Sequence, residues 1–132
     1  MRKTQRINYH GFTRILPIDL DDKRVIDTFT TGQCHSLARA IHQLTDWPLC
    51  VMGYAKGGSI ADAVYHVVCR APDGRLVDVY GAWNQGEQWK NMAFVKLVSE
   101  STVRRLGWDV QDIRAAMPFA KRIVEKITKG EE

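Results

Sequence analysis

Cysteine is scarce in this chain. Three residues of 132, Cys34, Cys50 and Cys69, make an odd set too small for a disulfide framework. The expected compartment is therefore a reducing one, the cytoplasm. Long apolar runs are missing as well: no window approaches the roughly 20 residues that a membrane span needs. The opening MRKTQRINYHGF is basic but has no apolar stretch behind it, so no secretory signal is expected. Dense basic runs are also lacking. Nineteen Lys and Arg stand against fifteen Asp and Glu, a net charge of +4, which is weak ground for a nucleic-acid partner. There is no repeat, low-complexity tract or linker. What is present is ordinary globular composition, 45% apolar and 26% charged. That length and composition fit one domain over residues 1–132.

Periodicity and turn residues predict the elements. Residues 1–30 read as irregular, with a short strand within FTRILPIDL. TGQCHSLARAIHQLT (31–45) reads as a helix, capped by Thr30 or Thr31 and ended by Asp46 and Pro48. PLCVMGYA is a buried strand, KGGSIADA a loop, and VYHVVCR-APDG-RLVDVYG a hairpin about a Pro-Asp-Gly turn. A polar loop, AWNQGEQWKN, leads to a short strand in AFVKLVS. Two helices follow, SESTVRRL and DVQDIRAAMPFAKRIVEKITK, with Gly107 between them and Pro118 expected to kink or split the second.

The helix at 31–45 starts on a thiol. Cys34, Leu37, Ala38, Ile41 and Leu44 share one face, and His35, Arg39, His42 and Gln43 fall toward the other. The unpaired N–H groups and positive dipole end of a first helical turn stabilise a thiolate, the nucleophilic form. A small buried core cysteine is the plainer reading of the same residue. The hairpin bears on the choice. A three-residue loop with a left-handed glycine pairs Ala71 with Arg75, and counting back sets Cys69 opposite Val77 and Val68 opposite Asp78. Val67, Cys69, Val77 and Val79 then form an entirely apolar face. His66 and Asp78 become diagonal neighbours on the other face, within hydrogen-bond reach and expected to be met by the helix. Thiol, imidazole and carboxylate in that order form a nucleophile, a base and an orienting group. Taken singly, His66 is also readable as a satisfied strand-end histidine, and Asp78 as a partner for Arg70 or Arg75.

GQCHSLARAIHQLT, HVVCR and VDVYG together resemble the papain-like and transglutaminase-like cysteine hydrolase superfamily over roughly residues 30–82. The resemblance implies a cysteine-bearing helix on an antiparallel sheet, with Cys34 as nucleophile, His66 as base and Asp78 as orienting residue. Papain-type enzymes carry an oxyanion-hole glutamine several residues before the cysteine; here the nearby glutamine, Gln33, is adjacent to it.

Three other readings use the same residues. Cys34, His35, His66 and Cys69 match no common zinc spacing. VRRLGWDVQDIRAAMPFAKRIV carries outward basic residues, but reads better as a solvated amphipathic helix pair than as a nucleic-acid element. An inert protein-interaction domain on the same fold is the main rival, with Trp83 and Trp89 as cleft linings, partner contacts or lids over the core. The sequence thus predicts an α+β domain, a cysteine-bearing helix on a small antiparallel sheet with C-terminal helices. It predicts thiol-based acyl transfer on a protein, peptide or other amide. Cys34, His66 and Asp78 are the catalytic set, Gln33 and Trp83 the substrate contacts, and no metal or cofactor is implied.

Overall fold

The computed structural model describes residues 3–53, 64–85, 87, 94–106 and 110–130. Among them the chain is a mixed α+β structure of four helices and two antiparallel sheets. The KGGS loop, Trp89 and Gly107 lie outside the described residues.

The first thirty residues are more regular than their sequence suggests. β1 (Thr4–Tyr9) and β2 (Phe12–Pro17) form an antiparallel hairpin. His10 and Gly11, at φ 53° and 85°, make its two-residue turn, whose positive φ values match the twist of the flanking strands. α1 (Lys23–Thr31) follows, capped by the Asp22 carboxylate, which accepts the Arg24 N–H. Its buried stripe is Val25, Thr28 and Phe29. Arg14 ties helix to hairpin: its guanidinium donates to Asp27 and Thr28, both at 3.0 Å, and lies 3.6 Å over the Tyr9 ring. Thr30 and Thr31 therefore do not cap the next helix. They close the last turn of α1, their hydroxyls donating to the Ile26 and Asp27 carbonyls.

α2 (Cys34–Thr45) begins directly after Gly32 and Gln33, and ends at Asp46 in the left-handed conformation. The main sheet has the order β6-β5-β4-β3-β7 and is antiparallel throughout. Its strands are β3 (Leu49–Gly53), β4 (Val64–Arg70), β5 (Leu76–Asp78), β6 (Gly81–Trp83) and β7 (Phe94–Val98). The β4–β5 hairpin has the expected register, with Cys69 opposite Val77, and the Ala71 N–H donating to Arg75 across a turn whose Gly74 has φ 89°. β5 is shorter than expected. It stops at Asp78 because the chain turns tightly there, pairing Asp78 with Gly81 and starting β6.

α2 packs on the face formed by Leu49, Val51, Val67, Cys69 and Val77, and the Cys69 thiol lies 3.1 Å from the Ala38 carbonyl. This corrects the expected arrangement, in which the body of the helix covers the His66 face. Apolar side chains decide it: Leu37, Ala38 and Ile41 bury most area against the wholly apolar face. On the opposite face Cys50, Met52, Val68, Leu76 and Trp83 form a second, smaller cluster. α3 (Glu100–Arg104), capped by Ser99, and α4 (Ile113–Thr128), capped by Asp112, complete the described chain. Pro118 lies within α4 and does not divide it. α4 lays Ala116, Phe119 and Ile123 into the main core, where the Phe119 ring meets Phe29 at 5.0 Å. No described helix is long and apolar enough to cross a membrane.

Candidate active site

The start of α2 has no side-chain cap and no carboxylate in its first turn. Its positive end is left to the residue at its first position, Cys34, which is buried at 5% exposure. An acid placed there would compete for the same N–H groups and dipole. The Cys34 N–H itself, as the first of the helix, has no intrahelical acceptor by its position.

His66 is the third residue of β4 and is fully buried. A β-bulge sits beside it, where the β3–β4 register shifts between Met52 and Gly53. Bulges add local twist and re-aim neighbouring side chains. Although α2 covers the other face of the sheet, its first residue meets His66: the Cys34 thiol is near enough to act on the imidazole, which is hydrogen-bonded to Asp78. The Asp78 bond joins Nε2 to Oδ2 at 2.8 Å. Burial works against a protonated imidazole. The Asp78 bond, and then the adjoining thiol, outweigh it and raise His66 from 6.5 to about 9.

Asp78 owes its place to the turn it starts. Aspartate at the first position and glycine at the fourth, Asp78-Val-Tyr-Gly81, is a β-turn signature. Asp78 Oδ1 accepts the Tyr80 N–H at 2.9 Å, an aspartate turn closed by its own side chain. The same oxygen accepts the Trp83 indole N–H at 2.9 Å. Asp78 is only 3% exposed, so these bonds stand in for its lost hydration. Arg75, the alternative partner considered for it, binds Asp73 at 2.8 Å.

The structure thus brings Cys34, His66 and Asp78 together, and engages Gln33 and Trp83, the expected substrate contacts, in hydrogen bonds within the protein. Both Gln33 amide hydrogens are taken, donated at 2.8 Å to the carbonyls of Asn8 and Val110, while its oxygen accepts the Ser36 hydroxyl. Gln33 is fully buried, and its two N–H bonds are in place, so no donor remains for an oxyanion. It ties the start of α2 to β1 and to the segment before α4. Trp83 is 4% exposed, with its one polar atom on Asp78. His35, expected toward the outer face of α2, is fully buried, with Nδ1 accepting the Ser36 N–H at 2.8 Å. The Trp83–Asp78 bond was legible in principle: the Asp78–Gly81 turn pairs Leu76 with Trp83 and so puts Trp83 on the Asp78 face.

Cys50 and Cys69 are free and buried. Burial pushes both thiols up, away from the nucleophilic form. Among the described residues, no group of three or more His, Cys, Asp or Glu side chains is arranged to hold a metal ion. An imidazole held between a thiol and a carboxylate can take the thiol proton and return it. No protein-family model, curated protein or solved structure matches the chain.

Proposed function

We propose that this protein is a cysteine-dependent hydrolase or acyl transferase of the peptidase, amidase or deamidase kind, built on a papain-like or transglutaminase-like core. The observation that carries the reading is the single buried imidazole of His66, hydrogen-bonded to the Asp78 carboxylate and close enough to the Cys34 thiol for that thiol to raise its basicity. The order of the three residues in the chain, and their placement on a helix start and two adjacent antiparallel strands, support the same reading.

The chemistry follows from the groups in place. His66 takes the Cys34 proton, and Asp78 Oδ2 holds Nε2–H and stabilises the imidazolium. The thiolate attacks the carbonyl carbon of an amide or ester, and the carbonyl π pair moves to oxygen. That oxyanion is met by the Cys34 backbone N–H at the positive end of α2. The tetrahedral species collapses, the C–N or C–O bond breaks, and His66 gives its proton to the leaving group. The acyl-cysteine then passes its acyl group to water or an amine, with His66 accepting the attacking group's proton.

p-Nitrophenyl acetate tests the reading without knowledge of the natural substrate. Release of nitrophenolate with an acetyl group on the peptide containing Cys34, abolished in Cys34→Ser and strongly slowed in His66→Ala, is the expected result. Absence of a Cys34 acyl adduct, or an adduct formed equally well without His66, would leave an interaction domain on this fold.

A further inference from the structure

We propose that Trp83 is a positioning residue of the triad: its indole N–H holds the Asp78 carboxylate in the rotation that presents Oδ2 to His66. This role rests on the proposed thiol chemistry and extends it by one residue. Donors meet both oxygens of the Asp78 carboxylate. The Tyr80 N–H and the Trp83 indole both reach Oδ1, each at 2.9 Å, and His66 Nε2 reaches Oδ2 at 2.8 Å. The Tyr80 bond is a local turn bond, from two residues along the chain. The indole comes from the next strand. With a second donor fixed from another direction, the plane of the carboxylate is set, and with it the oxygen that faces the imidazole.

The surroundings of Trp83 separate this role from simple filling of space. Cys50, Met52, Val68 and Leu76, its cluster partners, are buried and have no polar side-chain group needing an indole. A phenyl ring would satisfy the same cluster. Trp contributes one donor and no acceptor, and that donor is directed at the carboxylate.

Trp83→Phe keeps the ring and removes the donor. The readout is the rate of Cys34 carboxamidomethylation by iodoacetamide against pH, with Cys50 and Cys69 as internal reporters of an intact fold. The expected result is a fall of about fivefold to tenfold near neutral pH, the effect of losing one hydrogen bond to a charged group. The rate at high pH, where thiols ionise without help, stays within about twofold. A merely structural role would raise labelling of all three cysteines and leave no such pH dependence. A Trp83→Phe profile superimposable on that of the parent overturns the inference and leaves the triad standing. A parent chain with no labelling of Cys34 below about pH 8 overturns the triad itself, and this role with it. A second measurement needs no variant. The Trp83 indole N–H resonance of the unmodified chain should shift when Cys34 is carboxamidomethylated, because the charge across His66 and Asp78 changes; an unmoved resonance contradicts the role.

Discussion

His66 is a buried base whose charge is favoured by what touches it, and this has a consequence for stability as well as for chemistry. Its basicity is raised from 6.5 to about 9 on folding, so the folded state binds its proton more tightly than the unfolded state. The resulting stabilisation is fully present below about pH 6.5 and is lost as pH rises through about 9, the folded value. At about 1.4 kcal/mol per pH unit, this amounts to a few kcal/mol. Melting temperature measured between about pH 6 and pH 10 should therefore fall in the parent and fall much less in a folded His66→Gln variant. Parallel curves would show that His66 is not held as described. Gln33 gives a second residue-scale expectation. Gln33→Ala removes the two hydrogen bonds that the amide gives to the Asn8 and Val110 carbonyls. Chemical denaturation should register a loss of about 1–3 kcal/mol, on the scale of about 0.5–1.5 kcal/mol for each hydrogen bond lost. A change under about 0.5 kcal/mol would mean that the tie carries no load.

At the scale of elements, the β4–β5 hairpin was readable because its turn chemistry is specific. Pro-Asp-Gly admits few loops, and a bulged three-residue turn fixes which residues share a face. His66 and Asp78 were placed together on that ground alone, and they are hydrogen-bonded. α1 was hidden because its buried stripe contains Thr28. That residue looks polar in sequence, but it returns its hydroxyl to the Arg24 carbonyl at 2.7 Å and packs as a core residue. The turn at Asp78 was missed because LVDVYG alternates well enough to read as one strand, although aspartate and glycine three apart also mark a turn. α2 shows the reverse case. Its apolar face was plain, but which sheet face it covers depends on the competition between two faces, and the wholly apolar one prevails.

For the molecule as a whole, an antiparallel α+β organisation was legible, and the order of its strands was not. β7 joins the sheet beside β3, more than forty residues earlier in the chain, and no local pattern encodes a partner at that distance. The packing of α4 against α1 through Phe119 and Phe29 is equally non-local. Both rings are fully buried, so Phe119→Ala should cost about 3–5 kcal/mol in denaturant melts, the usual penalty for an emptied aromatic site. A loss below about 1 kcal/mol would mean that the two helices do not share one core.

The central claim is that this fold converts one of three buried thiols into a nucleophile by setting His66 against it. The most direct test is the rate of iodoacetamide labelling of each cysteine across pH, resolved by mass spectrometry, in the parent chain and in His66→Ala. The account predicts that Cys34 reacts below about pH 8, where Cys50 and Cys69 stay unlabelled, and that His66→Ala abolishes this low-pH reactivity without unfolding the chain. Equal labelling of the three cysteines, or a Cys34 profile unchanged by His66→Ala, would contradict it.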